Sequence, residues 1–144
     1  MENLRNICIR IMQISQRDVG NLRLQKLLYF IQAYCLLEFS EPAFEERIEA
    51  WTYGPVVPTA YFDYKKGLIE NILEPIELDE RVEQAIQDIT DIFSEWSDYD
   101  LVDLTHEYQL WKTKVKGAFT NKEMTNLEIL RFHENHLRDT GRAF

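Results

Sequence analysis

Two histidines near the end of the chain have a spacing that could support metal chemistry. His133 and His136 stand three positions apart on a predicted helix, so both imidazoles could face one ion. The pattern lacks the His-Glu-x-x-His spacing of zinc proteases, and no third ligand stands nearby in the sequence. We therefore interpret the pair as part of an ordinary surface helix and predict no metal site.

A second candidate for chemistry lies where Thr105 and His106 follow Asp103, a combination that could suggest acid–base catalysis. The same residue types also form hydrogen bonds at helix ends, which is the interpretation we favour. The sequence shows no glycine-rich phosphate loop, no serine nucleophile elbow and no cysteine–histidine pair. We predict a protein that is not an enzyme and needs no cofactor, with a small hydrolase or metal enzyme as the alternative.

Length and composition predict one soluble domain spanning residues 1–144. A hydrophobic share of 45% and a charged share of 28% are ordinary for a globular protein with one core. No apolar run of about 18 residues predicts a membrane span, and the first residues lack the apolar region of a secretory signal. Cys8 and Cys35 fall on apolar helical faces, which predicts buried, reduced thiols. We therefore expect a cytoplasmic protein.

The charge of the chain is unevenly distributed. The net charge is −9, and residues 70–103 hold twelve Asp and Glu against a single basic residue, Arg81. Such a segment argues against nucleic acid as the main partner, because phosphates are neutralised by Lys and Arg, and no basic recognition helix is visible. An acidic segment suits a basic protein partner, although it also suits a solvated helix face that keeps the protein soluble.

Most of the sequence predicts helices. An apolar stripe at three- and four-residue steps predicts a largely buried helix that Asn21 caps and residues 40–42 end. Asp79 and Ser97 are predicted caps of two later helices, the first of which has an acidic outer face. Thr120 and Thr125 are two overlapping candidates for the capping box of the last helix.

A little β structure is predicted beside the helices. Residues 47–51 alternate polar and apolar side chains, as half-buried strands do, and residues 69–78 could pair with them as a weak edge strand. Pro75 limits that second strand. The predicted fold class is mainly α (α+β), a compact domain of six or seven helices with a short two-stranded element near residues 46–52 and 69–78.

The segment from Trp51 to Pro58 predicts a strand, a rigid turn and a helix start. Gly54 can adopt positive φ, Pro55 fixes its own φ, and Pro58 suits the first position of a helix. Trp51 and the nearby tyrosines would either fill the core or form a rigid aromatic surface for a partner.

Polar residues on the buried helix leave a similar choice open. Gln25, Tyr29 and Gln32 share one face beside the apolar stripe. They would either satisfy buried backbone groups, which we favour, or line a recognition groove. Lys26, between them, is predicted to be solvated.

Two motifs resemble the Panacea domain of antitoxins, a family with SocA-like and phage-associated members. Leu24-Gln25-Lys26-Leu27-Leu28-Tyr29-Phe30-Ile31-Gln32 resembles the family's LQKLLYFAQ helix, and Glu49–Pro58 resembles its EAWxYGPVVP signature, followed by Tyr61. A weaker third block is Leu104-Thr105-His106 with Trp111, where Leu110 replaces the usual Pro. The resemblance covers residues 20–118.

The resemblance implies a mainly helical antitoxin, usually encoded beside its toxin. It would neutralise the toxin by direct binding, or alternatively act as a protease adaptor or a phage-associated regulatory protein. The expected partner is the cognate toxin, with a cellular protease and a homodimer left open, and with no direct contact to nucleic acid or membrane. The predicted partner-binding residues are Gln25, Tyr29, Tyr53, Gly54, Pro55, Val56, Pro58 and Tyr61.

Overall fold

The structure is a computed structural model that describes residues 1–70, 72–116 and 121–144. These ranges contain seven helices and three short strands, which confirms a mainly α fold with a small β element. The elements are α1 (Leu4–Ile14), α2 (Asn21–Phe39), β1 (Ile48–Trp51), β2 (Gly54–Val56), α3 (Pro58–Lys65), α4 (Glu80–Ile92), α5 (Asp98–Glu107), α6 (Gln109–Val115), β3 (Lys122–Met124) and α7 (Asn126–Thr140). No helix in the described ranges has the length and apolarity needed to cross a membrane.

Helix α2 is the centre of the fold because most of its circumference is buried. Thirteen of its nineteen residues are buried, and the helix contacts α3, α4, α5, α7 and β2. The apolar stripe accounts for one face, and aromatic and polar residues fill the others. Gly20 occupies the cap position, so Asn21 is the first helical residue and not the predicted cap.

Strand β1 is the predicted strand of residues 47–51, and it is the middle strand of the sheet. The order is β2-β1-β3, and both pairings are antiparallel. Trp51 pairs with Gly54 across a two-residue turn, whereas Ile48 pairs with Met124 of the distant strand β3. Both hydrogen-bonding edges of β1 are therefore occupied by strands from outside residues 69–78.

The prediction of a partner strand within residues 69–78 is wrong. Residues 69–70 and 72–78, which the structure describes, form no strand. Strands β2 and β3 already fill both edges of β1, and Pro75 lacks the N–H that a strand needs for full pairing.

Gly54 and Pro55 lie within strand β2, whereas the sequence predicted that they form the turn. Pro55 stands opposite Ala50, and β2 is an edge strand. An edge strand has one side without a partner, so it tolerates a residue that lacks an N–H. The turn itself falls on Thr52 and Tyr53, which places Tyr53 at the tip of the hairpin.

The helix starts follow the capping chemistry of the sequence. Pro58 is the first residue of α3, and the side chains of Asp79 and Ser97 cap α4 and α5 as predicted. Thr125 starts α7 in a capping box, whereas the alternative candidate, Thr120, lies outside the described residues.

The core contains both cysteines and a cluster of aromatic rings. Cys8 and Cys35 are buried and unbonded, which confirms the prediction, and burial raises the pKa of each thiol to about 12. Phe30 of α2 packs on Phe93, with ring centroids 4.5 Å apart, and on Phe144, at 5.5 Å. Helix α2 and the residues that follow α4 and α7 thus meet in one packed interior.

Candidate partner-binding site

The hairpin tip and the start of α3 carry four aromatic side chains with exposed surface, which we call the aromatic patch: Trp51, Tyr53, Tyr61 and Phe62. Tyr53 is 67% exposed and Phe62 is 48% exposed, whereas Trp51 and Tyr61 are half-buried. The ring of Trp51 meets that of Tyr61 edge to face at 5.0 Å, and Tyr61 meets Phe62 at 5.2 Å. These contacts fix the orientation of three of the four rings before any partner arrives.

Three further contacts hold the patch and set the charges beside it. The indole N–H of Trp51 donates to the carboxylate of Glu49 at 2.9 Å, and the Trp51 carbonyl accepts from the indole of Trp111 at 2.9 Å. The ammonium of Lys65 lies 5.4 Å from the centre of the Tyr61 ring, within the range of a cation–π contact. The patch is therefore an apolar surface with a carboxylate and an ammonium at its margin.

Buried polar groups of α2 hold the chain on which the patch stands. The side-chain oxygen of Gln25 accepts from the backbone N–H of Val57 at 2.9 Å, and its amide donates to Asn21. Asn21 in turn donates to the carbonyl of Tyr61 at 3.1 Å. The bond from Val57 satisfies an N–H group directly before α3, and the bond from Asn21 holds a carbonyl within that helix. The structural interpretation of Gln25 is thus the one that the contacts support.

Lys26 is fully buried, so the prediction that it is solvated is wrong. Its ammonium donates to the carbonyl of Pro55 at 3.0 Å, and burial lowers its pKa to about 7. We call Asn21, Gln25 and Lys26 the polar support, because all three join α2 to the segment that carries the patch. The helix is buried on nearly every side, which leaves this lysine no exposed face.

Gly54 is required at its position by both conformation and space. Its φ is +114°, a value that side-chain-bearing residues rarely adopt. A Cβ atom there would lie 2.7 Å from Cε of Lys26 and 2.8 Å from the hydroxyl of Thr105. The strand β2 therefore approaches α2 and α5 as closely as a backbone without a side chain permits.

Thr105 and His106, which could have suggested acid–base chemistry, take part in helix hydrogen bonding and packing. The hydroxyl of Thr105 donates to the carbonyl of Val102 at 3.0 Å, as a helix hydrogen bond of the kind we favoured. The ring of His106 stacks on Trp111 at 4.0 Å and nearly parallel, and burial together with nearby Lys26 lowers its pKa. Asp103 is exposed. The structure shows no hydrogen bond among the three side chains within the described residues.

The two histidines of α7 bind backbone groups of the last residues. His133 is buried, and not on the surface as predicted; its Nε2 accepts from the hydroxyl of Tyr29 at 2.6 Å, and its Nδ1 donates to the carbonyl of Ala143 at 2.8 Å. His136 donates to the carbonyl of Phe144 at 3.2 Å. Burial lowers the pKa of His133 to about 4, which keeps the imidazole neutral between its two partners.

Tyr29 and Gln32 are internal residues as well. Tyr29 has no exposed surface, and burial raises the pKa of its phenol. The amide of Gln32 donates to the carbonyl of Phe44, and its oxygen accepts from the N–H of Ala43 at 2.7 Å. The polar face of α2 therefore satisfies buried groups, and it does not line a groove on the surface.

The structure divides the predicted partner-binding residues into three groups. Those that are buried in this conformation are Gln25, Tyr29, Gly54, Pro55 and Val56. Pro58 and Tyr61 are half-buried, and Tyr53 is exposed. Only the last two groups offer side-chain surface to a partner, and whether they bind one stays a prediction. Phe62 is a further exposed residue of this surface that was not predicted. Its position directly after Tyr61 on a short predicted helix could have indicated it.

Comparisons with known proteins agree with the motifs. The profile of the family described as Antitoxin SocA-like, Panacea domain, matches residues 24–112, from α2 into α6. Antitoxin SocA of Caulobacter vibrioides (strain NA1000 / CB15N) is 44% identical over 43 residues, which is 30% of this chain and 23% of that protein. The match thus spans about a quarter of the length of this curated relative. No solved structure matches the chain significantly.

The family match covers more than half of the chain, and it includes Gln25 and Lys26 of the polar support and the turn that carries the aromatic patch. The chain therefore belongs to the Antitoxin SocA-like, Panacea domain family.

Proposed function

We propose that this chain is the antitoxin of a toxin–antitoxin pair and that it neutralises its toxin by direct binding, without catalysing a reaction. Family membership supports the antitoxin role in general. The direct-binding mechanism is supported by one observation above the others, which is the exposed and prearranged aromatic patch at the tip of the signature hairpin. Tyr and Trp side chains dominate the binding energy of protein interfaces.

The polar support explains why such a patch would bind well. A surface that is already ordered loses little conformational freedom when a partner docks on it, so more of the contact energy appears as affinity. Gln25 and Lys26 hold the hairpin and the start of α3 from inside, and Trp111 holds the carbonyl of Trp51. Binding at this patch would neutralise the toxin by covering the surface that the toxin needs for its own activity.

The test is co-expression of the chain with the product of the adjacent open reading frame, which the family resemblance implies as the toxin. We expect growth arrest by the neighbour alone, rescue by the chain, and recovery of a complex of the two proteins by affinity purification. Rescue without a recoverable complex, together with a shortened half-life of the neighbour, would replace direct binding by delivery to a protease. A neighbour that neither arrests growth nor binds would contradict the proposal.

A further inference from the structure

An apolar groove of about 410 Å³ lies on another part of the molecule, between the C-terminal ends of α2 and α4. Its apolar lining residues include Tyr34, Leu37, Ile92, Trp96, Leu104 and Phe144. Ile92 is 49% exposed and Trp96 is 36% exposed, although both belong to residue types that folding normally buries. The groove shares no residue with the aromatic patch.

The groove continues into a second, strongly acidic depression. Trp96, Leu104 and Phe144 line both, and the carboxylates of the second depression form what we call the acidic rim: Glu95, Asp100, Asp103 and Glu107. Arg142 also lines both depressions. Four negative side chains thus border an apolar surface at the C-terminal end of α4 and along α5.

The acidic rim is available to an external cation. None of the ion pairs among the described residues involves any of its four carboxylates. Asp100 accepts from the N–H of Ser97 in the capping box, and all four residues are exposed. A basic residue of a partner could therefore pair with the rim without first breaking an internal salt bridge.

We propose that this groove and its acidic rim form a docking surface for a basic amphipathic segment of the toxin. The apolar side chains of that segment would occupy the groove beside Ile92 and Trp96, and its Lys or Arg residues would meet the rim. This inference rests on the proposed function, because it names the chemistry of the partner that the antitoxin binds. Helix-in-groove recognition of this kind combines apolar anchors with flanking charges.

The negative charge of the acidic rim favours a basic protein segment over other possible occupants of the groove. A second copy of the chain docked symmetrically would bring two acidic rims together, which like-charge repulsion opposes. Nucleic acid would meet the same repulsion from its phosphates. A basic protein segment gains attraction at the same place, and this attraction speeds encounter at low ionic strength.

The charge part of the test is a pair of matched double reversals, measured as the affinity of the purified chain for the purified product of the adjacent gene. Glu95→Lys/Asp103→Lys neutralises the rim as a whole, because two of its four carboxylates become ammonium groups. Glu74→Lys/Glu77→Lys makes the same change in net charge before α4, at exposed positions near the other end of that helix. We expect at least a tenfold loss of affinity for the rim variant and less than a threefold change for the control.

The apolar part of the test compares two exposed side chains of the same kind. Ile92→Asp places a charge in the groove, and Leu73→Asp places one at a fully exposed site outside it. We expect at least a tenfold loss of affinity for the first and none for the second. Circular dichroism of each variant verifies that it is folded before affinity is compared.

The outcomes separate this inference from the function on which it rests. Tight binding by the wild type and by all four variants would contradict the groove as a docking surface, but it would not contradict the antitoxin function. Absence of binding by the wild type would overturn both. A homodimer that Ile92→Asp dissociates in the absence of the toxin would assign the groove to a second copy and overturn the proposed occupant.

Discussion

The aromatic patch and the apolar groove are two surfaces of one domain that the interior supports in different ways. Behind the patch, buried polar side chains bind backbone atoms of the exposed segment, as Lys26 does at Pro55 and Gln25 at Val57. Behind the groove the buried guanidinium of Arg23 also donates to backbone carbonyls, those of Phe93 and Trp96. The rest of that support is packed aromatic rings, such as Phe93 against Phe30. The difference lies in the backbone of the exposed segment. Beneath the patch, Gly54 approaches Lys26 and Thr105 too closely for any side chain to fit, whereas the groove is formed by side chains at helix ends.

This difference explains where the family signature lies. Directional hydrogen bonds and a backbone contact at Gly54 leave little choice of residue, so the patch region carries a recognisable pattern. Apolar packing is tolerant of volume-conserving exchange, so the residues that line the groove carry a weaker pattern, the block that begins at Leu104. The comparison predicts large losses of stability from changes beneath the patch and small ones from changes on either exposed surface.

The largest effect is expected from Gly54→Ala. The new methyl group would approach Lys26 and Thr105 to within 2.7 and 2.8 Å, at a φ of +114°. Strain and overpacking together should lower the free energy of unfolding by about 3 kcal/mol or more. Urea unfolding followed by circular dichroism measures the change. The control is Gly67→Ala, which has positive φ but open space around its Cβ and should lose only about 1 kcal/mol.

A smaller loss of stability is expected when the buried His133 is protonated. The pKa of His133 is about 4 in the folded protein and near 6.5 when unfolded, so the unfolded chain binds the additional proton as pH falls through this window. Stability is therefore present above about pH 6.5 and decreases toward pH 4, by about 2 kcal/mol between pH 7 and 5. Unfolding free energies at both pH values should show this difference in the wild type.

The control for that titration is His133→Gln, which keeps a polar group near Tyr29. This variant starts from a lower stability, but its loss between pH 7 and 5 should be smaller than that of the wild type by the same amount. An equal pH dependence in the two proteins would show that the buried imidazole is not the titrating group.

The buried ammonium of the polar support should give a slope of the same sign in a higher pH window. Lys26 has a pKa of about 7 when folded against an ordinary 10.5, so between these values the unfolded chain holds more protons. Stability should thus rise by about 1.5 kcal/mol between pH 7 and 8.5. Above that window the raised thiol pKa values of Cys8 and Cys35 act in the other direction.

Comparison with Lys26→Met isolates this contribution. The variant has no amine to titrate, so its stability should be almost flat between pH 7 and 8.5 in the same urea experiment. A rise in the variant equal to that in the wild type would contradict the assignment and would mean that Lys26 is not the group that loses its proton.

The smallest effect on stability is expected at the surfaces themselves. Tyr53→Ala removes a side chain that is 67% exposed, so the free energy of unfolding should change by less than about 0.5 kcal/mol. Ile92→Asp should remain below about 1 kcal/mol, because the side chain is half exposed. Larger losses of stability, measured by chemical unfolding, would mean that these residues stabilise the fold. They would contradict the expectation that changes on the two surfaces cost less than changes beneath the patch.

Local signals in the sequence were sufficient for much of the fold. Helical periodicity predicted α2, and the caps at Pro58, Asp79 and Ser97 followed from side-chain chemistry over a few residues. The position of β1 followed from alternation, but its partner β3 did not, because a pairing over more than seventy residues leaves no local trace. Strand β3, with only three residues, is also too short to show an alternation of polar and apolar side chains.

The site was predictable only in part. The motif located β1 and Tyr53, but the pairing of β1 with β2 was not predicted. The burial of Lys26 and His133 depended on partners from distant parts of the chain. A polar residue on an apolar helix has the same appearance in the sequence whether its side chain is solvated or is buried and hydrogen-bonded within the protein. Its role is decided by whether a backbone carbonyl, such as that of Pro55 or Ala143, is brought within hydrogen-bonding distance.

The most direct test of the account is a calorimetric titration of the purified chain with the purified product of the adjacent gene. We predict saturable binding by the wild type, at least a tenfold weaker affinity for folded Tyr53→Ala/Tyr61→Ala, and unchanged affinity for Tyr99→Ala, which removes a tyrosine that is 79% exposed elsewhere. Equal affinity of the wild type and the folded double variant would contradict the aromatic patch as the binding surface. No heat of binding and no complex with the wild type would contradict neutralisation by direct contact.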